Sequence, residues 1–264
     1  MLKIITPLDR LQNAVVPIYA PDKKRRPEVV GSGVLLVIGE DVLLLTAAHV
    51  IDLNDEGDRA TFYVPRGLEL DALECPAWKN VLPPGKSREH DVLDIGFMAI
   101  SDEATKLLGH VPLALAAIDS RHRPGGANYY QFCGYPRTMN RPRVPFRSVR
   151  PSPLAFTARS VPHRRYEQIG LSPGAQILLG VDLDRVNDMN RTAGPMPDPH
   201  GISGGGVFRL TQNRAAGSLI GIALELRRDA KVLIGGGIAG WLQVIATACP
   251  HLGAEIQRFS NSQA

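Results

Sequence analysis

The chain is cut into short apolar runs, and that pattern limits its fold more than any other feature. Runs of four to ten residues recur from Ala14 to Ile234, each closed by glycine, proline or a charged turn. Runs this short cannot supply the ten or more residues of an ordinary core helix, whereas strands need only four to eight. Ala14–Tyr19, Val29–Ile38, Val42–Leu45, Ala60–Val64, Tyr129–Gly134, Arg143–Val149, Leu154–Ser160, Gln176–Val181, Val207–Leu210, Leu219–Leu226 and Lys231–Ile234 all read as strands. Gly39-Glu40-Asp41 reads as the turn of a hairpin between the second and third. Thr6–Gln12 and Ser101–Leu108 read as short helical turns. Only Gly240–Cys249 carries a sustained helical period, with apolar residues at 241, 242, 244, 245 and 248, and Pro250 is expected to stop it. The pattern predicts an all-β protein of two β-barrels with a C-terminal helix. With 264 residues the chain has room for both. The join is expected near Pro124-Gly125-Gly126, giving an N-terminal barrel over 1–118 and a C-terminal barrel with the terminal helix over 119–264.

Composition narrows the setting. Hydrophobic residues make up 44% and charged residues 21%, ordinary for a globular chain. The three cysteines, Cys75, Cys133 and Cys249, are too few and too scattered for a disulfide framework or a zinc site. No run reaches the roughly 18 apolar residues of a membrane span, and Met1–Ala20 lacks the order of a signal peptide. The expectation is a cytoplasmic protein with no metal, no cofactor and no membrane partner. The net charge is +4, and between Arg121 and Glu167 ten arginines face one acid. No aromatic interleaving or nucleic-acid motif accompanies them, so solvated loops and strands are the favoured reading over a nucleic-acid surface.

Three segments carry chemistry. Gly201-Ile202-Ser203-Gly204-Gly205-Gly206 places a serine among glycines, where the backbone can turn tightly and converge its N–H groups beside the hydroxyl. Leu43–Ala48 leads a buried strand into His49, giving an imidazole a rigid exit. Asp94 opens the apolar run Ile95–Met98, and a carboxylate there would orient an imidazole. Asp91 is the rival acid. In isolation each has a plainer reading: a glycine turn, a structural histidine, a strand-start aspartate.

Together, TAAHV, DIGFM and GISGGG resemble, in order, the histidine, aspartate and serine motifs of the trypsin-like (chymotrypsin-fold) serine peptidases. Cys133-Gly134-Tyr135-Pro136 is similar to a segment of bacterial members. The resemblance implies two six-stranded Greek-key β-barrels with a cleft between them, and a serine endopeptidase acting on protein or peptide substrates. It also implies a triad of His49, Asp94 and Ser203, and an oxyanion hole from the N–H groups of Gly201 and Ser203. Ile202 stands where zymogen-activated members carry an aspartate, so that activation route is not expected. Pro197 occupies the position at the floor of the specificity pocket, and Asp198 and His200 lie beside it as further substrate-binding candidates. Two other readings remain. One is a catalytically silent or latent binding module that needs an activating protein partner. The other is an α/β-hydrolase using the GxSxG pattern at 201–205 with Asp229 and His251, which the strand-after-strand pattern does not favour. His90, His110, His122 and His163 show no ligand spacing.

Overall fold

The computed structural model describes residues 11–53, 62–66, 69–73, 77–79, 87–88, 91–101, 109–125, 128–141, 150–186, 194–212 and 216–263. Arg143–Val149, Ser101–Leu108 beyond its first residue, most of Thr6–Gln12, Cys75 and His90 lie outside the described residues.

Eight strands build the first sheet: β1 (Val15–Pro21), β2 (Pro27–Ile38), β3 (Asp41–Ala47), β4 (Phe62–Arg66), β5 (Glu69–Leu73), β6 (Ala77–Lys79), β7 (Ile95–Ile100) and β8 (Leu113–Ala114). Their order is β5-β4-β1-β2-β3-β7-β6, with β8 pairing parallel to β2. The second sheet closes into a six-stranded barrel, β10-β11-β14-β13-β12-β9. Its strands are β9 (Tyr129–Gly134), β10 (Leu154–Ser160), β11 (Gln176–Gly180), β12 (Gly206–Leu210), β13 (Gly217–Arg227) and β14 (Val232–Gly237). The protein is all-β, as the pattern of short runs predicts. Continuous apolar runs form the central strands because both of their faces are covered; Val34, Leu35 and Leu36 of β2 are all fully buried. The weakly apolar strands β5 and β6 escape a reading that looks for apolar runs.

Helices accompany the sheets, among them α1 (Ala48–Asp52), α2 (His163–Gln168), α3 (Ile238–Ala248) and α4 (Pro250–Gln263). The helix read over Gly240–Cys249 does stop before Pro250, as expected, but the proline also starts a second helix that the residue pattern does not announce. Pro250 ends α3 and opens α4, because a proline in the first helical turn gives up an N–H that has no intrahelical partner there. Helix α3 also belongs to both sheets. Its Trp241 is fully buried, and the indole Nε1–H donates to the carbonyls of Thr46 (3.2 Å) and Gly96 (3.0 Å) on β3 and β7.

One hydrophobic core runs across the two sheets. Cys133, Tyr135, Phe208, Leu219 and Leu224 of the barrel pack with Val34, Leu45 and Phe97 of the first sheet. A separate barrel core gathers Tyr130, Phe132, Ile177, Leu179, Val207 and Leu233. Backbone hydrogen bonds stitch the seam. Asp119 N–H donates to Leu219 C=O (2.9 Å), and Ser32 N–H to Ser203 C=O (2.7 Å).

Four arginines of the basic stretch make contacts within the fold. Arg121 pairs with Asp119 at 3.1 Å, Arg137 with Glu28 at 3.3 Å, and Arg159 lies 4.8 Å from the Tyr129 ring centroid. Arg165 donates to Gln168 and to Ala230 C=O.

Candidate active site

His49 is the second residue of α1, one turn that follows β3 without a break. Asp94 sits just before β7, which pairs antiparallel with β3 through Ala47↔Ile95. That register brings residues 45 positions apart into contact at one end of the sheet. Asp94 Oδ2 lies 2.5 Å from His49 Nδ1, and Oδ1 accepts the His49 N–H at 2.9 Å. The Asp94 carbonyl accepts from Ala48 N–H at 2.9 Å. A carboxylate on Nδ1 leaves Nε2 as the ring atom free to act as a base. The imidazole is 39% exposed and the carboxylate 8%, so the acid is sheltered while the base is reachable. Asp94 takes a left-handed backbone, φ 44°, unusual for a residue with a Cβ and held here by three contacts to α1.

Asp91, the rival acid, is engaged elsewhere. Its Oδ2 accepts from Arg88 Nη1 at 2.6 Å, and its Oδ1 from Leu93 N–H at 3.1 Å.

Ser203 lies on the loop that enters β12. Its neighbours need glycine for stated reasons. Gly201 has φ +92°, and a Cβ there would come within 2.7 Å of Tyr135 C=O. Gly204 has φ +87°, and a Cβ there would run into Ser32 C=O and Thr46 Oγ1. The loop is docked on the first sheet through Ser32, which is fully buried. Ser32 N–H donates to Ser203 C=O, and its hydroxyl donates to Gly201 C=O (2.7 Å) and accepts from Tyr135 N–H (2.9 Å). Ser32 C=O in turn accepts from Thr46 Oγ1 at 2.8 Å, on the strand that launches His49. The serine loop and the histidine helix therefore share one anchor.

Two backbone donors in this loop have no acceptor among the described residues: the N–H groups of Gly201 and Ser203. Each preceding carbonyl is committed. His200 C=O accepts from Arg137 N–H (2.7 Å), and Ile202 C=O accepts from Gly205 N–H (2.9 Å). In a trans peptide the N–H points opposite to its C=O, so both donors are aimed away from those partners. The Ser203 hydroxyl donates to Leu224 C=O at 2.8 Å, and among the described residues it makes no hydrogen bond to His49. Leu224 is the extra residue of a bulge in β13, between Ala223↔Gly235 and Glu225↔Ile234.

The remaining candidates fall as follows. Pro197 and Asp198 are half-buried and His200 is exposed. Asp198 Oδ1 accepts the His200 N–H at 3.1 Å and lies 2.5 Å from its Nδ1. Those hydrogen bonds from His200 hold the Asp198 carboxyl below the usual aspartate range. His251, the α/β-hydrolase candidate, pairs with Asp41 at 2.6 Å. Among the described residues no cluster of three or more His, Cys, Asp or Glu is placed to hold a metal ion, and Cys133 and Cys249 are free thiols. No helix among the described residues is long and apolar enough to cross a membrane. Ser32, Arg88 and the Leu224 carbonyl had no place in the sequence reading. Only Ser32 left a trace there, as a polar residue between two glycines inside an apolar strand.

No protein-family model matches the chain, and no curated protein does. Among solved structures it is similar to AL20, a thermostable serine protease from an extremophilic microorganism, with a TM-score of 0.50 at 16% identity. That match covers 88% of this chain and 94% of the other. The fold is chymotrypsin-like. Two further similar structures come from Sesbania mosaic virus. The serine protease domain of its polyprotein has TM-score 0.44 at 14% identity, covering 84% of this chain and 88% of that one. A structure concerned with coupled folding and binding of the virus's disordered VPg protein has TM-score 0.46 at 12% identity, with 84% and 86% covered. At such identities the likeness is one of fold.

Proposed function

We propose that this protein is a serine endopeptidase in which Ser203 attacks a peptide carbonyl, His49 Nε2 takes the hydroxyl proton, and Asp94 orients the imidazole. The observation that carries the reading is the Asp94 carboxylate holding both the backbone N–H and Nδ1 of His49. This arrangement fixes the tautomer a general base needs and stabilises the imidazolium that forms. The N–H groups of Gly201 and Ser203, which have no acceptor among the described residues, receive the oxyanion of the tetrahedral intermediate. His49 then returns its proton to the leaving amine, and water resolves the acyl-enzyme. Pro197, Asp198 and His200 border the substrate on the serine side. The substrate is a protein or peptide, and the free thiols support a reducing compartment such as the cytoplasm.

One observation favours a second reading, a latent enzyme or a silent binding module: the Ser203 hydroxyl is turned to Leu224 C=O. Rotation about a single side-chain bond frees the hydroxyl from that carbonyl. Labelling with a fluorophosphonate probe decides between them. Labelling of the protein alone, abolished in Ser203→Ala and His49→Ala, supports the peptidase. Labelling only when a partner protein is added supports the latent enzyme, and none under either condition overturns both in favour of the binding module.

A further inference from the structure

Helix α1 is a single turn, and a segment of chain is tied to both of its ends. At the N-terminal end the ties are those of Asp94: its carbonyl to Ala48 N–H and its carboxylate to His49. At the C-terminal end is Asp52, whose carboxylate accepts from Arg88 Nε at 2.7 Å and also pairs with Lys79 on β6. The other arm of the Arg88 guanidinium reaches Asp91 at 2.6 Å. Asp91 then caps the turn to Leu93, and Asp94 follows at once. The circuit Asp52–Arg88–Asp91–Asp94–His49 closes on itself through the helix. Arg88 is 16% exposed and Asp91 only 5%, so these charged hydrogen bonds are sheltered from the screening that weakens surface pairs. Burial pushes the Asp52 carboxyl up, but its hydrogen bonds to Arg88 and Lys79 outweigh this and hold it below the usual aspartate range.

We infer that Arg88 is a positioning residue for the acid–base pair: by bridging Asp52 and Asp91 it pins segment 91–94 against α1 and keeps Asp94 in the left-handed conformation that aims its carboxylate at His49. The need for such a clamp follows from the backbone. Asp94 prefers extended or right-handed geometry, as any residue with a Cβ does. A loop left to relax would rotate the carboxylate off Nδ1. Arginine suits the task because its planar fork serves two carboxylates at once, whereas a lysine ammonium is a single point on a flexible stem.

The consequence for turnover rests on the peptidase reading; the consequence for the imidazole does not. The test compares wild type, Arg88→Ala, Arg88→Lys and Asp91→Asn by proton NMR of the His49 Nδ1–H and by steady-state kinetics on a peptide substrate. The downfield Nδ1–H resonance expected of the wild type should be lost or displaced in Arg88→Ala and partly kept in Arg88→Lys, with the far-UV spectrum unchanged. kcat should fall roughly 10- to 100-fold in Arg88→Ala while KM changes less than about twofold, the mark of a misplaced catalytic pair. Should Arg88→Ala not fold, Asp91→Asn cuts the same link and the same readouts apply to it. The inference is overturned if a folded variant with the link cut keeps the wild-type resonance, or if active-site titration accounts for the whole activity loss by fewer folded molecules with unchanged kcat. If wild type gives the resonance but neither turnover nor probe labelling, the peptidase reading fails and the NMR comparison still judges Arg88.

Discussion

Ser32→Ala removes one oxygen atom and should cost both stability and turnover. Ser32 is fully buried at the seam between the sheets, and its hydroxyl serves two backbone groups, the N–H of Tyr135 at 2.9 Å and the C=O of Gly201 at 2.7 Å. A methyl group satisfies neither. Leaving a buried backbone group without a partner costs about 1–3 kcal/mol. Two such groups, less the recovered cost of burying the hydroxyl itself, give a loss of about 3 kcal/mol. For a chain of this size that is a drop of roughly 6–12 °C in Tm. Urea unfolding followed by tryptophan fluorescence measures the loss directly, since Trp241 sits at the same seam. Turnover should fall further than the unfolded fraction explains. Gly201 would lose the bond that holds its carbonyl, and its N–H is one of the two donors offered to the oxyanion. A stability change under about 0.5 kcal/mol together with unchanged kcat would falsify the claim that Ser32 anchors the serine loop.

Two further outcomes are expected. Asp94→Asn should lower kcat about 10⁴-fold at neutral pH, the order lost when a trypsin-like triad aspartate becomes an amide, with little change in KM. A loss smaller than about tenfold would remove Asp94 from the mechanism. His122, hydrogen-bonded at Nε2 to Tyr166 Oη (2.9 Å), has its pKa lowered by burial from the ordinary 6.5 to about 4. The folded state therefore favours neutral imidazole, and its stabilisation is present above pH 6.5 and lost as pH falls toward 4. Discounted for partial exposure, the effect is about 1–2 kcal/mol. Urea unfolding at several pH values should show that slope in wild type and a flatter one in His122→Gln, and parallel slopes would refute it.

Much of the architecture is legible in the order of residues because strand formation here is a local matter. Tyr129–Gly134 and Leu154–Ser160 are strands over the expected bounds, since alternation and terminal glycine or proline act within a few residues. Strand β5, with Glu69 and Asp71, carries too little apolar signal to be read alone and exists because β4 pairs with it. Helix α4 is hidden for a similar reason. Its apolar residues Leu252 and Ile256 are few, and the proline at its head reads as a stop until α3 is seen to end immediately before it.

The order of residues already carries the chemical types at the site and their surroundings: a histidine at the exit of a buried strand, an acid at the entrance of another, and a serine flanked by glycines. It prefers Asp94 to Asp91, three residues earlier, only because an apolar run follows at once, and leaves open which acid meets the imidazole. That choice is tertiary, because a register pairing Ala47 with Ile95 brings Asp94 to His49, while Arg88 takes Asp91. The docking of the serine loop is tertiary as well. Ser32 meets Gly201 across 169 positions of chain, and only the closing of two sheets against each other brings such a hydroxyl within bonding distance of that carbonyl. Hydrogen bonds and ion pairs act over a few ångströms, so their partners are set by where strands pack and not by how the chain is spelled.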